Sequence, residues 1–477
     1  MNTDLSTALI RQDFFSFFQR AFYETSGGQF IVPAWYFYVL CDKLEKVRCG
    51  EIKRLIINLP PRSLKSQLIN VAFTAWTLAK SPKKKIISVS YSAELADEFA
   101  RDTKRIMTSD WYKTLFPKSQ IANEQSSATD FKTHSHGGRF TTSVDGTITG
   151  RGGNLIVIDD PINTSNTASE TTLNKVNEWY KKTLLSRLDN QETDSIVLMM
   201  QRVHENDLTG YLLENEPDKW DVIKIPQIAI ENETWIVGNK TFIRAKGQVL
   251  NPSYTGLEKS LELKQSLGSY VWESQYQQNP IAVESGIIKP EWLHYEDKIT
   301  FDRNEVCNVY LSWDTASKTG TDNAYSACVV IVMTRDRKLH LVEVYRDKWE
   351  IPDLIKETKD IYNQWANNLG NRGRITLLVE EAASGIALNQ FLVAEYNNGG
   401  SYFNTVAIKP HGDKASRLIN SSVVIESGRL LFPAESRNLN WWPEFKKELL
   451  GFPGTKYKDQ VDALSQVIRY ILDEESQ

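Results

Sequence analysis

The chain has 477 residues, with 56 basic against 60 acidic side chains for a formal charge of −4, and 41% of it is hydrophobic. At roughly 150 residues per domain this length suggests two to three domains, each large enough to close its own core. The composition excludes collagen-like, low-complexity and disordered classes, and the near-neutral charge excludes a protein that coats nucleic acid with its whole surface.

In chain order, Met1 to Arg11 carries Asp4 and lacks the basic-then-apolar layout of a secretory leader. From about Arg54 to Arg202, strand-like and helix-like stretches alternate, which predicts a mainly parallel sheet with covering helices. Arg54–Leu59 reads as a buried strand and Ser66–Lys80 as a helix. Lys84–Ser90 reads as a strand, Glu94–Met107 as a helix, and Asn154–Asp160 as a strand ending in two carboxylates. Leu173–Leu188 is predicted helical and Ser195–Arg202 a strand; the stretch after Asp221 is less regular, and the pattern loosens near Gln278-Asn279-Pro280, which places a domain boundary between there and about Asn304. The longest apolar run, near Val71–Ala79, is interrupted by Thr74 and Thr77 and falls short of the ~20 residues of a membrane span. A second alternation begins near Val309: strands Val309–Asp314, Ala327–Thr334 and Lys338–Tyr345, helix Pro352–Asn367, strand Ile375–Glu380 and helix Ile386–Tyr396. An amphipathic helix from Asp459 closes the chain, its apolar face made by Val461, Leu464, Ile468, Ile471 and Leu472. The four cysteines (Cys41, Cys49, Cys307, Cys328) form no CxxC pair, so neither zinc nor a disulfide framework is indicated. A cytoplasmic α/β protein of two tandem units is the expectation.

Pro60-Pro61-Arg62-Ser63-Leu64-Lys65-Ser66 lies between the first strand and its helix. Strand, tight loop, Lys-Ser and helix are what a phosphate loop needs: amides and helix N-terminus face a phosphate, lysine reaches the β/γ-phosphates, and the hydroxyl ligates magnesium. Leu64 stands where glycine is usual, and a left-handed leucine costs about 1–2 kcal/mol. A Pro-rich turn with a solvated lysine fits the same residues. The strand ending in Asp159-Asp160 follows in the order of a Walker B strand. There Asp159 would hold magnesium and Asp160 would orient or deprotonate the attacking water. Capping of a turn at Pro161 is the plainer alternative. Arg62 and Arg202 are candidates for stabilising γ-phosphate charge, and surface ion pairs would explain either equally.

In the second half, Asp314 and Glu380 end strands, while Asp459 and Asp462 sit at i and i+3 at the start of the last helix. Such carboxylates can converge to hold two Mg²⁺ or Mn²⁺ ions about 3.5–4 Å apart for phosphodiester cleavage. Asp459-x-x-Asp462 equally fits an N-cap with a helix-start acid.

With these motifs in order, the chain resembles the large terminase subunit of tailed bacteriophages and prophages, over about Gln29 to Tyr470. The carrying pieces are LIINLPPRSLKS, VSYSAELADEFARDTKRIM, TGRGGNLIVIDDP, MMQRVHENDLTG, YQQNP, SWDTASKTG, VEEAASG and KDQVDALSQ. The resemblance implies an ASCE-type P-loop ATPase over residues 1–280, a linker over 281–304 and a ribonuclease H-like nuclease over 305–477. It implies ATP and Mg²⁺ as cofactors, with Mn²⁺ a further option at the nuclease. It assigns Arg62, Ser63, Lys65 and Ser66 to the nucleotide, Ser66 and Asp159 to magnesium, Asp160 to catalysis, and Gln201-Arg202 to a coupling segment. Asp314, Glu380, Asp459 and Asp462 match metal-binding acids. The implied partners are double-stranded DNA, a portal protein and a small terminase subunit, in a homo-oligomeric ring on a procapsid within the bacterial host cytoplasm.

Three departures stand out. Leu64 replaces glycine, Lys458 stands where the family often has aspartate, and Asn323-Ala324-Tyr325 lacks an aspartate that Asp322 would have to supply. Lys409, Lys414 and Arg417 fit a DNA-backbone patch or a solvated face. The alternative function is a domesticated prophage protein that binds DNA or a portal without ATP turnover. A generic helicase-nuclease would need further helicase motifs after Arg202, and none is present.

Overall fold

The computed structural model describes residues 3–164, 170–281, 286–298, 300–315, 325–369, 374–381, 383–410 and 412–475. Asp322, Asn323 and Ala324, and residues 282–285 and 299 of the expected linker, lie outside them. The chain divides into two compact units, Met1–Lys264 with Tyr270–Ile281, and Gln265–Ser269 with Ala282–Gln477. No helix among the described residues is long and apolar enough to cross a membrane.

The first unit is built on an eight-stranded sheet. Its strands are β1 (Arg54–Asn58), β2 (Lys85–Ser90), β3 (Ile121–Ser126), β4 (Asp130–Thr133), β5 (Gly138–Ser143), β6 (Leu155–Asp159), β7 (Ser195–Met200) and β8 (Asp221–Lys224). The order is β3-β4-β5-β2-β6-β7-β1-β8, parallel from β5 through β8, with β3 and β4 added antiparallel at one edge. Successive side chains of a strand face opposite ways, so Leu55 and Ile57 enter one core and Ile56 the other. The first core is closed by the helices Phe14–Thr25 and Trp35–Cys49, whose Phe14, Phe17, Phe18, Phe37 and Leu40 are buried. A separate hairpin, β9 (Glu233–Val237) with β10 (Lys240–Arg244), follows β8.

The helix expected over Ser66–Lys80 is interrupted. Gln67–Ala72 forms a π-helical turn before the α-helix Phe73–Lys80. The cause is competition for one carbonyl: Asn70 O accepts from the Thr74 hydroxyl at 2.7 Å and from the Arg139 guanidinium at 2.9 Å, which loosens the ordinary helical ladder. The expected helix Leu173–Leu188 is likewise α only over Glu170–Trp179, then π over Tyr180–Leu184 and 3₁₀ over Leu185–Arg187.

The second unit holds a seven-stranded sheet of β11 (His294–Glu296), β12 (Val306–Asp314), β13 (Ser326–Thr334), β14 (Leu339–Asp347), β15 (Ile375–Glu380), β16 (Thr405–Ile408) and β17 (Leu430–Pro433). The order is β11-β17-β14-β13-β12-β15-β16. Three long antiparallel strands, β12 to β14, continue into β15 and β16 laid parallel to β12, the layout of a ribonuclease H-like fold. Val309, Leu311 and Trp313 face a core covered by the helices Ile351–Leu369 and Ala383–Asn397. By the period of two, Tyr310, Ser312 and Asp314 face the other side, where the helix Asp459–Glu475 lies. Gln466 of that helix donates to Ser312 Oγ at 3.0 Å, and Tyr470 packs on Tyr310. The chain is thus mixed α/β, with one mainly parallel sheet and one ribonuclease H-like sheet.

Candidate functional site

In a parallel sheet all strands end at the same edge, so residues far apart in sequence are gathered there. Asn58 stands level with Met200 across β1 and β7, and Met199 with Asp159 across β7 and β6. The loop after β1 therefore meets the end of β6, with the end of β7 between them.

Within that loop Arg62 and Leu64 both adopt left-handed backbone, with φ of 61° and 59°. Leu64 offsets part of this cost by packing its side chain against the first core. Ser63 is turned inward, donating to Pro60 O at 2.8 Å while its own carbonyl accepts from Tyr36 at 3.2 Å. Lys65 is buried, its Nζ 3.0 Å from Asp160 Oδ2 and 3.5 Å from Gln201 Oε1. It is not a solvated lysine. Ser66 Oγ donates to Asp159 Oδ1 at 3.1 Å and Asn70 Nδ2 to Asp159 Oδ2 at 3.0 Å. Asp160, at φ 41°, accepts from the Gln201 amide at 3.0 Å. Burial, with the Asp160 charge beside it, pushes the Asp159 carboxyl up to about 7.

The structure gathers Ser63, Lys65, Ser66, Asp159 and Asp160. Arg62 is exposed in the same loop. Arg202 is turned elsewhere: its Nε lies 3.0 and 2.9 Å from the two carboxylate oxygens of buried Asp207, and its Nη2 donates to the carbonyls of His204 and Glu205. Asp207 also accepts from the amides of Val203 and Gly210, both at 3.0 Å, so it caps the helix Leu208–Asn215. Sequence reading passed over two residues here. Asn70 holds Asp159, and Gln278, fully buried at φ 56°, accepts from the Arg202 amide at 2.9 Å. The YQQNP run marked the second position without showing its partner.

In the second unit β12 and β15 are parallel neighbours, with Trp313 level with Val379, so Asp314 and Glu380 finish side by side. Gly385 permits the chain to turn tightly after Glu380, since a Cβ there would lie 2.2 Å from the Glu380 carbonyl. The last helix brings Asp459 and Asp462. Its leading amides, Gln460 and Val461, are taken by Glu448 Oε1 at 2.9 and 3.1 Å, a residue of the helix Trp442–Gly451. The capping role that the sequence allows for Asp459 and Asp462 is therefore filled by Glu448, and both aspartates are free to face inward. Asp459 Oδ2 is buried without a hydrogen-bond partner among the described residues.

Two cations share this cluster. Lys414 contacts Asp462 and lies 3.8 Å from Asp314 Oδ2, while Arg417 is 3.3 Å from Glu380 Oε1 and 3.3 Å from Asp462 Oδ1. Burial, together with neighbouring Asp462, raises the Asp314 carboxyl well above the usual range, and burial also raises Asp459 and Asp462. Among the described residues no three His, Cys, Asp or Glu side chains stand ready around one metal position. The space between these acids is held by the ammonium and guanidinium groups.

Residues 311–470 match the family model for the terminase RNaseH-like domain. No curated protein matches the chain. Among solved structures, the large terminase of a thermophilic bacteriophage, in complex with ATP-gamma-S, aligns with TM-score 0.46 at 10% identity, over 90% of this chain and 98% of that one. The large terminase of bacteriophage HK97 aligns with TM-score 0.36 at 11% identity, over 96% of this chain and 99% of that one. The yeast mitochondrial Holliday junction resolvase Ydc2 aligns with TM-score 0.24 at 10% identity, over 35% of this chain and 81% of that one. The matched stretch, residues 311–470, carries Asp314, Glu380, Asp459 and Asp462.

Proposed function

We propose that this protein is the motor and nuclease subunit of a viral DNA-packaging machine, hydrolysing ATP in its first unit and cutting double-stranded DNA in its second. The observation that carries the reading is one of position: in each unit the candidate residues meet where parallel strands end, Lys65 with Asp160 and Asp314 with Glu380.

In the first unit Arg62, Ser63, Lys65 and Ser66 would receive the phosphates of ATP, and Ser66 with Asp159 would hold Mg²⁺. Asp160 would orient and deprotonate the attacking water once the phosphates draw Lys65 away. Arg202, held by Asp207, is in this reading the coupling residue that relays hydrolysis to movement. In the second unit the donor set of Asp314, Glu380, Asp459 and Asp462 is all oxygen, as hard Mg²⁺ or Mn²⁺ prefers, and the orphaned Asp459 Oδ2 offers a ligand atom. Bound divalent cations there would polarise a phosphodiester and lower the pKa of water. The chain's own contribution is to bury these acids, so that they are short of counter-charge, and to orient Glu380 through Arg417. The substrate is concatemeric DNA, the partners a portal and a small terminase subunit, the assembly a ring, and the setting a bacterial host cytoplasm.

The other reading, a DNA- or portal-binding protein without ATP turnover, draws on left-handed Leu64 in the phosphate loop. Plasmid cleavage by the full chain separates the two at the second unit. With Mn²⁺ or Mg²⁺ and no ATP, the wild type should cut and EDTA should stop it. Asp314→Ala should be as inactive as the triple variant with Glu380→Ala and Asp459→Ala, because residues acting as a unit are not additive. Exposed Glu381, its amide bonded to Ile408 O, lies outside the cluster, and Glu381→Ala should keep most activity. A fully active Asp314→Ala protein would sink the nuclease reading.

A further inference from the structure

Arg139 on β5 is fully buried in the first unit, and its guanidinium donates to neutral groups. Its Nε donates to Thr141 Oγ1 at 3.0 Å. Its Nη1 donates to Asn70 O at 2.9 Å, to Thr74 Oγ1 at 3.0 Å and to the hydroxyl of Thr103 on the helix Ala93–Thr108. Its Nη2 donates to Asn70 Oδ1 at 2.7 Å and to Ser88 Oγ at 3.1 Å. A charge buried among neutral partners costs stability, so stability does not account for an arginine at this position.

Direction does. A guanidinium carries donors and no acceptor, so the edge of the Asn70 amide that meets it must be oxygen. Ser88 Oγ donates to the same oxygen at 2.5 Å and closes the triangle. The NH₂ edge is thereby turned to Asp159, whose Oδ2 accepts from Asn70 Nδ2 at 3.0 Å. Asn70 stands four residues after Ser66, and Ser66 Oγ donates to the other oxygen of Asp159 at 3.1 Å. The buried carboxylate is gripped at both oxygens, and each keeps a lone pair for a cation. Because Arg139 also takes the Asn70 carbonyl, it fixes the backbone and the amide of Asn70 together.

We propose that Arg139 is a positioning residue for the nucleotide's magnesium: it locks the Asn70 amide in the one orientation that aims Asp159. Without it the amide is free to turn, and Asp159 loses the grip on Oδ2. The inference rests on the reading of Asp159 as a magnesium ligand, and it adds the two residues, Asn70 and Arg139, that hold that ligand in place.

The test is binding of a fluorescent, non-hydrolysable ATP analogue (mant-AMP-PNP) to the full-length protein, first in EDTA and then across a Mg²⁺ titration. The wild type should bind weakly in EDTA and more tightly as Mg²⁺ is added. Arg139→Met should keep the affinity in EDTA, which Lys65 and its loop supply, and need about 10–100-fold more Mg²⁺ for the tightening. A general loosening of the fold would weaken the affinity in EDTA as well. Asn70→Leu should behave like Arg139→Met, and the double variant should be no worse than Asn70→Leu, since one residue acts through the other. Arg139→Lys, which keeps the charge with fewer donors, should fall between wild type and Arg139→Met. Circular dichroism checks that each variant is folded, and if Arg139→Met is not, Arg139→Lys decides alone. An unchanged Mg²⁺ requirement in the folded Arg139 variants, or a double variant whose shift is the sum of the two, overturns the role of Arg139 and leaves the phosphate-loop reading standing. A wild type without Mg²⁺-dependent tightening, or tightening that survives in Asp159→Asn, overturns the reading of Asp159 and the proposal with it.

Discussion

The ammonium of Lys65 lies 3.0 Å from Oδ2 of Asp160, with Gln201 touching both: its amide reaches Asp160 at 3.0 Å and its side chain reaches Lys65 at 3.5 Å. The ion pair is shielded, the Lys65 side chain being only 6% exposed. A nucleotide's β/γ-phosphates would compete with Asp160 for that lysine, so binding and release of the candidate base are one event. Lys65→Ala should therefore abolish DNA-stimulated ATP hydrolysis and leave plasmid cleavage largely intact. Asp160→Asn should bind ATP and turn it over about 10²–10⁴-fold more slowly. Phosphate-release assays on both variants check this, and unchanged turnover in both would remove the phosphate-loop assignment.

Leu64 combines a left-handed backbone, φ 59°, with a side chain packed on the core. Leu64→Gly relieves about 1–2 kcal/mol of backbone cost but gives up apolar contact and raises unfolded-state entropy. Its net stability change should stay within about 1 kcal/mol, with ATP turnover retained. Leu64→Ile places a β-branched residue at positive φ, and the urea midpoint and ATP turnover should both fall. Equal behaviour of the two variants would mean that the loop backbone does not constrain this position.

Arg202 and Asp207 form a charged pair in which Asp207 is fully buried. Asp207→Ala removes the partner of the guanidinium and the acceptor for the Val203, His204 and Gly210 amides at once, so it should cost about 3–5 kcal/mol. Arg202→Ala leaves Asp207 its amide donors and should cost less. A double-mutant cycle by urea denaturation should return a coupling of about 1–3 kcal/mol. In a packaging assay Arg202→Ala should lose DNA translocation more severely than nucleotide binding. Parallel loss of both would make it a binding residue.

His204 is buried beside this pair and accepts the Asn206 amide on Nδ1 at 3.0 Å, a bond that only the neutral ring can make there. Burial lowers its pKa below the ordinary value near 6.5. The unfolded chain then binds a proton that the folded chain resists, so stability rises with pH and is lost as pH falls below about 6.5. A His204→Asn variant should lose part of that acid sensitivity between pH 7 and about 5, read from thermal midpoints across the range. An unchanged slope would assign the acid sensitivity to other groups.

Much of the framework was legible in the residues. The apolar runs at Arg54–Asn58, Leu155–Asp159 and Ile375–Glu380 are strands, because central parallel strands are buried on both faces and need continuous apolar sequence. The closing helix showed in its stripe Val461, Leu464, Ile468, Ile471 and Leu472, of which the first four are buried and Leu472 is half-buried. The edge strands β3 and β4, the hairpin β9–β10 and the short β16 and β17 carried no such signal. Their faces are partly solvated and their runs brief, so neither period nor apolar content marks them. The π turn at Gln67–Ala72 was illegible for another reason: its cause, Arg139, comes from a strand far along the chain.

The same division holds at the sites. Sequence alone determined which residue types stand at the ends of buried strands: Lys65 and Ser66 after β1, Asp159 and Asp160 at the end of β6, Asp314 and Glu380 at the ends of β12 and β15. Those positions follow from local pattern. Only the tertiary structure decided the partners: Lys65 with Asp160, Arg202 with Asp207, Glu448 as the cap of the last helix, and Lys414 among the acids. A charge is indifferent to sequence distance and answers to whatever the sheet order brings within a few ångströms in a low-dielectric interior. That order, with β7 between β1 and β6 and β15 beside β12, is set by packing of the whole sheet.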